Sequence, residues 1–201
     1  MLVLLAAGAL FVLTDYTDRL FAWTVKPNLT AAFLGAGYLT SFFLEYLSAR
    51  EIAWAAARIS VPAVLVFTLL TLGPLVHRDR FHFSSPHPVA RFAAWAWLAI
   101  YAIVPLLMLV VLVRQVRVPG GDLGRTRRMP AWGRVVVALQ AGVVLGLGVA
   151  LFAVPARAAA LWPWALTPLT GRAIGAWLVG IGVAAFHALA EGDLRRLRAA
   201  G

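Results

Sequence analysis

The chain has 201 residues, of which 62% are hydrophobic and 13% are charged, and its mean hydropathy is +0.86. Soluble globular domains are about 45–50% apolar and about 25% charged, so this composition excludes that class and indicates a polytopic helical membrane protein. The apolar runs do not alternate with polar residues, which excludes a membrane β-barrel.

The net charge of +10 does not indicate a nucleic-acid-binding protein. The arginines flank apolar runs, where they set membrane topology and contact anionic lipid headgroups, so the expected partner is the lipid bilayer and not nucleic acid. Lys26 is the one lysine among eighteen basic residues, and this bias towards arginine is typical of GC-rich bacterial genomes. The chain has no cysteine, which excludes disulfides, thiol nucleophiles and cysteine metal ligands.

The first apolar run, residues 1–14, is shorter than the roughly 20 residues that a membrane-spanning helix needs. A signal peptide is not favoured, because the run lacks a basic segment and a small-residue cleavage site before Asp15. We interpret it as a shallow or truncated first helix. A polar interfacial turn follows, marked by Asp15, Asp18, Arg19 and Lys26.

Five further helices are predicted in chain order, at about 29–47, 59–76, 89–113, 135–154 and 172–189. The connection 48–58 is predicted to be helical at the membrane interface. A loop at 77–88 contains three histidines, and the loop at 114–134 is rich in arginine, glycine and proline. The expected fold class is an all-α, polytopic transmembrane bundle of about six spans, or five with a shallow first helix.

The distribution of basic residues predicts the topology. With six spans, both termini lie on one side, which collects eleven basic residues, including Arg195, Arg196 and Arg198 of the tail; the other side has seven. Positive charge favours the cytoplasmic side, so both termini and the arginine-rich loop are predicted to be cytoplasmic in the bacterial plasma membrane.

Two stretches of the chain resemble each other, and each precedes an apolar run. One is FAWTVKPNLT at 21–30 and the other is WPWALTPLTGR at 162–172. With Asn28 as a one-residue insertion, the corresponding residues are Trp23 and Trp164, Pro27 and Pro168, Leu29-Thr30 and Leu169-Thr170, Gly35-Ala36 and Gly175-Ala176, and upstream Ala9-Leu10-Phe11 and Ala150-Leu151-Phe152.

This correspondence predicts an incomplete parallel internal repeat within a single membrane domain, residues 1–201. Residues 1–47 form the first copy and 135–191 the second; 48–134 contain the intervening helices and loops, and 192–201 form a basic tail. Four helices separate the two motif copies, so both are predicted to lie on the outer side with the same orientation.

The motif supports two interpretations. In the structural one, which we favour, tryptophans lie at the headgroup level and Thr30 and Thr170 N-cap the following helices. In the functional one, a shallow outer groove binds an anionic lipid headgroup or ligand near Arg172 at a helix N-terminus. The candidate groove residues are Trp23, Pro27, Thr30, Trp162, Trp164, Pro168, Thr170 and Arg172.

Ionisable residues inside predicted spans are candidates for function. The repeat places Glu45 near the depth of His187, so the two side chains could meet if the motif helices pack together, with Glu191 one turn beyond. Glu45 and His187 lie in the last turns of their helices, near the cytoplasmic interface, where long polar side chains reach water at little cost. A structural role is therefore favoured over a functional pair.

The loop histidines His77, His82 and His87 are weak candidates for a metal site, because imidazole binds zinc and copper but their spacing matches no strong ligand signature. We expect neither a metal nor a cofactor. Two small-residue faces predict close helix packing within the chain: Ala138-x3-Gly142-x3-Gly146 and Ala176-x3-Gly180-x3-Ala184. Phosphate-loop, nucleophile and dinucleotide-binding motifs are absent from the sequence.

The pattern W-x-L-T-P-L-T-x-R-x-x-G-A-W at 164–177 resembles a motif of uncharacterised bacterial multi-pass membrane proteins, and TAAFLGAGY at 30–38 is similar to a companion feature of them. No activity is assigned to those proteins, so the resemblance implies architecture and no site residues. The leading hypothesis is a non-enzymatic structural or accessory membrane protein. The alternatives are a small transporter or lipid or small-ligand binder at the pseudo-symmetric helix interface, and a membrane enzyme using Glu45, His187 and Glu191.

Overall fold

A computed structural model describes residues 2–51, 54, 58, 60–118 and 124–197, and these residues form an all-α fold without β-strands. Six helices of ten or more residues occur in this part: α1 Leu2–Phe11, α2 Asn28–Arg50, α3 Ser60–Thr71, α4 Pro88–Arg117, α5 Ala131–Ala153 and α6 Pro168–Glu191. Short helical turns connect them at Thr14–Tyr16, Thr17–Leu20, Gly73–Arg80, Pro155–Ala158 and Ala159–Leu161.

Four helical segments of the described chain are long and apolar enough to cross a membrane: Ser60–Arg80, Pro88–Arg117, Ala131–Ala153 and Pro168–Glu191. The chain is therefore a helical membrane protein by composition and fold. The first predicted span is not among these segments because α1 has 10 residues, or about 15 Å, half the thickness of a bilayer core. α2 has 23 residues, but Glu45, Ser48 and Arg50 reduce the hydropathy of its second half.

The helix boundaries differ from the predicted ones for local reasons. The helix predicted at 59–76 is divided, because α3 ends at Thr71 and the chain continues as the 3-10 turn Gly73–Arg80 with Pro74 near its start. α6 begins at Pro168, one turn before the predicted start, because Thr167 caps it. Of the interfacial helix predicted at 48–58, residues 48–50 form the end of α2, and residues 52, 53 and 55–57 lie outside the described residues, as does Arg198.

α6 is the central helix of the bundle and packs between α5 and α3. A Cβ atom added to Gly175 would lie 2.7 Å from both the Gly148 carbonyl oxygen and the Phe152 backbone nitrogen, so only glycine permits this approach of α5 to α6. On the other side of α6, a Cβ atom added to Gly180 would lie 2.9 Å from the Phe67 Cβ atom of α3. Close helix packing thus surrounds α6 on two sides.

One of the two predicted small-residue faces does not pack within the chain. Ala138, Gly142 and Gly146 are exposed, and a Cβ atom added to either glycine would have no described atom within 4 Å. The predicted packing of this face within the chain was therefore wrong. The side of α5 that contacts α6 is the opposite one, which contains Gly148. The face on α6 was predicted correctly, with Ala176 and Gly180 both buried.

The helix pairs α1–α2 and α5–α6 each contain a close contact between a glycine and the backbone of a phenylalanine. A Cβ atom added to Gly35 of α2 would lie 2.6 Å from the Phe11 backbone nitrogen of α1. The Gly175–Phe152 contact joins α6 to α5 in the same way. Four large side chains that are at most 2% exposed belong to the two pairs: Leu10, Leu34, Leu151 and Ile174.

The connections gather at two opposite ends of the bundle. At one end, called here the motif end, residues 17–27, 73–88 and 154–168 meet, and the His82 backbone N–H donates to the Ala22 carbonyl over 2.8 Å. At the other, called the tail end, residues 124–130 and 187–197 meet, and the Leu194 N–H donates to the Arg127 carbonyl over 2.7 Å. The outer faces of α4 and α5 between the two ends are apolar and exposed, as expected of helices that contact lipid.

Candidate functional site

The two motif threonines are not N-caps. Thr167 holds that position before α6, where its hydroxyl accepts from the Thr170 backbone N–H over 3.2 Å. Pro27 precedes α2, and its carbonyl accepts from the Thr30 N–H over 2.9 Å. The prediction for Thr30 and Thr170 was therefore wrong by three residues. Each threonine is the third residue of its helix and has no exposed surface.

A hydrogen bond joins the two motif copies at the motif end. The Trp164 indole N–H donates to the Thr30 hydroxyl oxygen over 2.6 Å, across 134 residues of sequence. The rings of Trp162 and Trp164 lie 5.2 Å apart between centroids, and they pack edge-on against Phe33 at 5.4 and 6.3 Å. The tryptophans of the second copy therefore bind the start of the first motif helix.

Trp23 does not line an open groove, contrary to the functional interpretation of the motif. It is 3% exposed, and its ring centroid lies 4.8 Å from that of Phe21, 5.2 Å from that of Phe81 and 5.8 Å from that of Trp97. These contacts fix the histidine loop and the start of α4 against the first motif copy. Pro27, in contrast, is exposed beside it.

The aromatic contacts continue from Trp23 into the centre of the bundle, a feature that the sequence analysis missed. The Tyr38 and Tyr101 hydroxyls are 2.9 Å apart and buried, which pairs α2 with α4. The Trp177 ring of α6 packs on Tyr38 at 5.4 Å and on Phe67 at 4.1 Å. Ala94, Trp97, Tyr101 and Pro105 are all buried, and their spacing of three or four residues along α4 was the readable signal.

The three loop histidines have separate positions. The His77 Nε2 atom accepts from the Arg172 guanidinium over 2.6 Å, and His82 contacts the Phe21 carbonyl at 3.0 Å and the Thr24 hydroxyl at 3.2 Å. His87 is exposed at the residue before α4. Within the described part of the chain, no group of three or more His, Asp or Glu residues is placed to hold a metal ion.

A cleft of about 360 Å³ opens at the motif end between the end of α5 and the start of α6. Of the predicted groove residues, it contains Pro168 and Arg172, and Arg172 lies one turn inside α6, so its predicted place at the helix N-terminus was wrong. The residues that line this cleft, called here the Arg172 cleft, are His77, Val154, Pro155, Ala156, Arg157, Pro168 and Arg172.

At the tail end, the structure brings Glu191 and His187 together but leaves Glu45 apart. Arg58 donates to one Glu191 carboxylate oxygen over 2.6 Å and Arg196 to the other over 2.8 Å, while His187 Nε2 lies 3.4 Å from the first. Glu45 is exposed on α2, and no hydrogen bond or ion pair in the described chain joins it to His187 or Glu191. The predicted meeting of Glu45 and His187 was therefore wrong.

These contacts restrict what the tail end can do chemically. Both Glu191 oxygens are bound by guanidinium groups, and the residue is only 5% exposed. A carboxylate in this state is stabilised in its charged form and has no open oxygen with which to accept a proton from a substrate. The arrangement instead ties the end of α6 to the segment before α3 and to the tail.

Asp193 fastens the tail to the loop that precedes α5. Burial favours its neutral form, but its carboxylate accepts from the Arg127 backbone N–H over 2.7 Å and from the Arg195 N–H over 3.0 Å. These hydrogen bonds outweigh the effect of burial and hold the pKa of the Asp193 carboxyl below its ordinary value. These hydrogen bonds join the described part of the basic tail to the loop before α5.

Comparison with protein-family models, with curated proteins and with solved structures finds no match to this chain. The fold and composition define the class, a helical membrane protein in which four helices are apolar enough to span. Its function is therefore inferred from the contacts at the two ends of the bundle.

Proposed function

We propose that the protein is a multi-pass protein of the bacterial plasma membrane with a structural or accessory role and without catalytic activity. The observation that carries this proposal is the hydrogen bond from Trp164 to Thr30, which joins the two motif copies to each other. This pair is part-buried, with the Thr30 side chain fully covered, and a hydrogen bond of this kind fixes the relative position of the helices that it joins. Related bacterial proteins with the pattern at 164–177 are proposed to use it in the same way.

The matched contacts in the two helix pairs support an incomplete parallel duplication. Phe11 and Phe152 occupy corresponding positions in the sequence alignment, as do Gly35 and Gly175. Each phenylalanine backbone meets the corresponding glycine at a distance that leaves no space for a Cβ atom. Two copies of one ancestral helix pair would retain this contact, because a side chain at either glycine would separate the two helices.

We propose five membrane spans, with α1 as a shallow sixth helix. α2 starts at the motif end, and Arg58, seven residues after Glu51, lies at the tail end, so the chain crosses between the ends within α2. The 23 residues of α2 extend over about 34 Å, which is sufficient. The tail end has the greater number of arginines, so the C-terminus is proposed to be cytoplasmic and both motif copies outside. With five spans instead of six, the N-terminus is proposed to lie on the outer side, which changes the topology expected for it from the sequence.

The packing between the motif helices favours a structural role over transport. A small transporter with its site between α2 and α6 needs a polar path from the motif into the bundle. Gly37 and Trp177 occupy corresponding positions on the two helices and meet each other, with the Trp177 ring 3.3 Å from a Cβ atom added to Gly37. Tyr38, Tyr101 and Phe67 surround this contact, so aromatic rings occupy the interface.

The test is to remove the Trp164 side chain and to compare the result with removal of a tryptophan that has no such partner. Trp132 is 73% exposed at the start of α5 and serves as the matched control. Trp164→Ala is expected to lower the amount of folded, monodisperse protein in detergent, whereas Trp132→Ala is expected to behave like the wild type. A folded Trp164→Ala protein that differs from the wild type only in losing a copurified lipid or ligand would contradict the structural role and favour the ligand-binding alternative.

A further inference from the structure

We propose that the Arg172 cleft is a binding site for a phosphate-bearing anion, either the headgroup of an anionic phospholipid or a soluble phosphate compound. This site does not depend on the structural role proposed above. It lies at the motif end of the second copy, and its lining residues include neither Trp164 nor Thr30.

The charge of the cleft selects an anion. Its seven lining residues include Arg157 and Arg172 and no acid, and the remaining walls are formed by proline, valine and alanine. His77 accepts a hydrogen bond from Arg172 through Nε2, which requires that this nitrogen carry no proton. The imidazole therefore orients the guanidinium without neutralising it. Arginine has five N–H donors, so Arg172 retains donors for a phosphate, which it can bind in a bidentate manner.

The position of the cleft reinforces this charge. It opens beside the first turn of α6, a helix of 24 residues, where the helix dipole places partial positive charge. Apolar walls lower the local dielectric constant, which strengthens the attraction between an arginine and a bound anion. Because the motif end is also the end of four apolar helices, a phospholipid headgroup can reach the cleft from the membrane surface.

In the first copy, a hydrogen bond bridges the place that corresponds to the cleft. Asp15 corresponds to Ala156, and Asn28, the residue inserted after Pro27, is the first residue of α2 as Pro168 is of α6. The Asn28 side-chain amide donates to the Asp15 carboxylate over 2.5 Å and bridges the place where the second copy is open. A cleft is therefore not a general consequence of the repeated helix pair.

The arginines of the cleft are also confined to the second copy. Tyr16 and Ala32 stand in the first copy where Arg157 and Arg172 stand in the second. The first copy thus has an entrance bridged through Asn28, with Asp15 and Lys26 on either side of it, whereas the second copy has a basic, open entrance. This difference supplies both the argument for a specific site and a substitution that closes it.

Calorimetric titration of the full chain in an uncharged detergent tests the proposal. The probes are dihexanoyl-phosphatidylglycerol, dihexanoyl-phosphatidylcholine and inorganic phosphate. The double variant Arg157→Gln/Arg172→Gln is expected to bind phosphatidylglycerol at least about tenfold more weakly than the wild type, because it loses hydrogen bonds between charged groups. Arg91→Gln, which changes an exposed arginine in the first turn of α4 outside the cleft, is expected to leave the affinity within about twofold.

The probes distinguish the two sources of the anion. Binding of phosphatidylglycerol but not of inorganic phosphate identifies a lipid headgroup, whereas phosphate binding that the double variant loses identifies a soluble compound. Either result supports the site. Equal binding of phosphatidylglycerol and phosphatidylcholine, or equal binding by wild type and double variant, would overturn it, as would the absence of binding by any probe.

A second variant keeps the test decisive if the double variant fails to fold, which circular dichroism and gel filtration would show. Ala156→Asp retains both arginines and places in the cleft the acid that the first copy has at Asp15. It is expected to abolish anion binding while leaving helix content and elution volume unchanged. A folded Ala156→Asp protein with the affinity of the wild type would contradict the proposal.

Discussion

The hydrogen bond from Trp164 to Thr30 can be measured with a double-mutant cycle. Trp164→Phe removes the indole N–H but leaves an aromatic ring to pack against Phe33 and Trp162. The Thr30 oxygen, which has no exposed surface, then loses this donor, and an unsatisfied buried polar group costs about 1–3 kcal/mol. Thr30→Val deprives the indole N–H of its acceptor and is expected to cost a similar amount.

The double variant decides whether the two residues act on each other. With both polar partners replaced by apolar groups, no buried donor or acceptor is left at this contact, so the combined loss should be smaller than the sum of the two single losses. A coupling energy of about 1–2 kcal/mol is expected.

The assay is unfolding by sodium dodecyl sulfate in mixed micelles, followed by far-ultraviolet circular dichroism, since tryptophan fluorescence changes with the substitution itself. Trp132→Phe, at an exposed position, is the control and should leave the unfolding free energy within about 0.5 kcal/mol of the wild type. Single effects that add within about 0.5 kcal/mol in the double variant would refute the coupling of the two motif copies.

Two further predictions concern helix packing and the tail. Gly175→Ala should lower the unfolding free energy by about 1–3 kcal/mol, because its Cβ atom would lie 2.7 Å from α5 backbone atoms. Gly142→Ala, with no described atom within 4 Å of the added Cβ atom, should be neutral or slightly stabilising. Thermal unfolding in detergent compares the two variants. For Asp193, whose pKa lies below the ordinary value of 3.8, ionisation stabilises the fold above that value, and this contribution is lost as the pH falls through the lower folded-state pKa. Asp193→Asn should therefore reduce stability at neutral pH and flatten the loss of stability below about pH 4 in an acid titration, and an unchanged titration would contradict this role.

The sequence was sufficient for those features that depend on composition and short-range pattern. Membrane character, the all-α class and the approximate positions of the longer helices follow from apolar runs, whose burial needs no knowledge of partners. The correspondence of Gly35 with Gly175 also predicted equivalent positions that the structure places in equivalent contacts. The N-cap of α6 was predicted wrongly, because both Thr167 and Thr170 are suitable caps. Pro168 decides between them, since proline is preferred one residue after the cap.

The features that depend on long-range geometry could not be predicted. Trp23 and Trp162 look alike as interfacial residues, and only the position of Phe81 and Trp97 shows that Trp23 is buried. Glu191 was grouped with Glu45 because both lie near the end of a helix. Its partners are instead residue 58, which is distant in sequence, and residue 196, which follows the end of α6. The cleft at Arg172 likewise depends on His77, which the sequence separates from it by 95 positions.

The placement of both motif copies at one outer end is tested most directly by labelling single cysteines. The chain contains no cysteine, so Thr24→Cys, Thr167→Cys and Arg125→Cys each introduce one exposed reactive site, in the first motif, the second motif and the arginine-rich loop. In intact cells, a membrane-impermeant maleimide should label the variants at residues 24 and 167, and should label the variant at 125 only after the membrane is permeabilised. Labelling of residues 24 and 167 from opposite sides of the membrane would contradict the joined motif copies and the five spans.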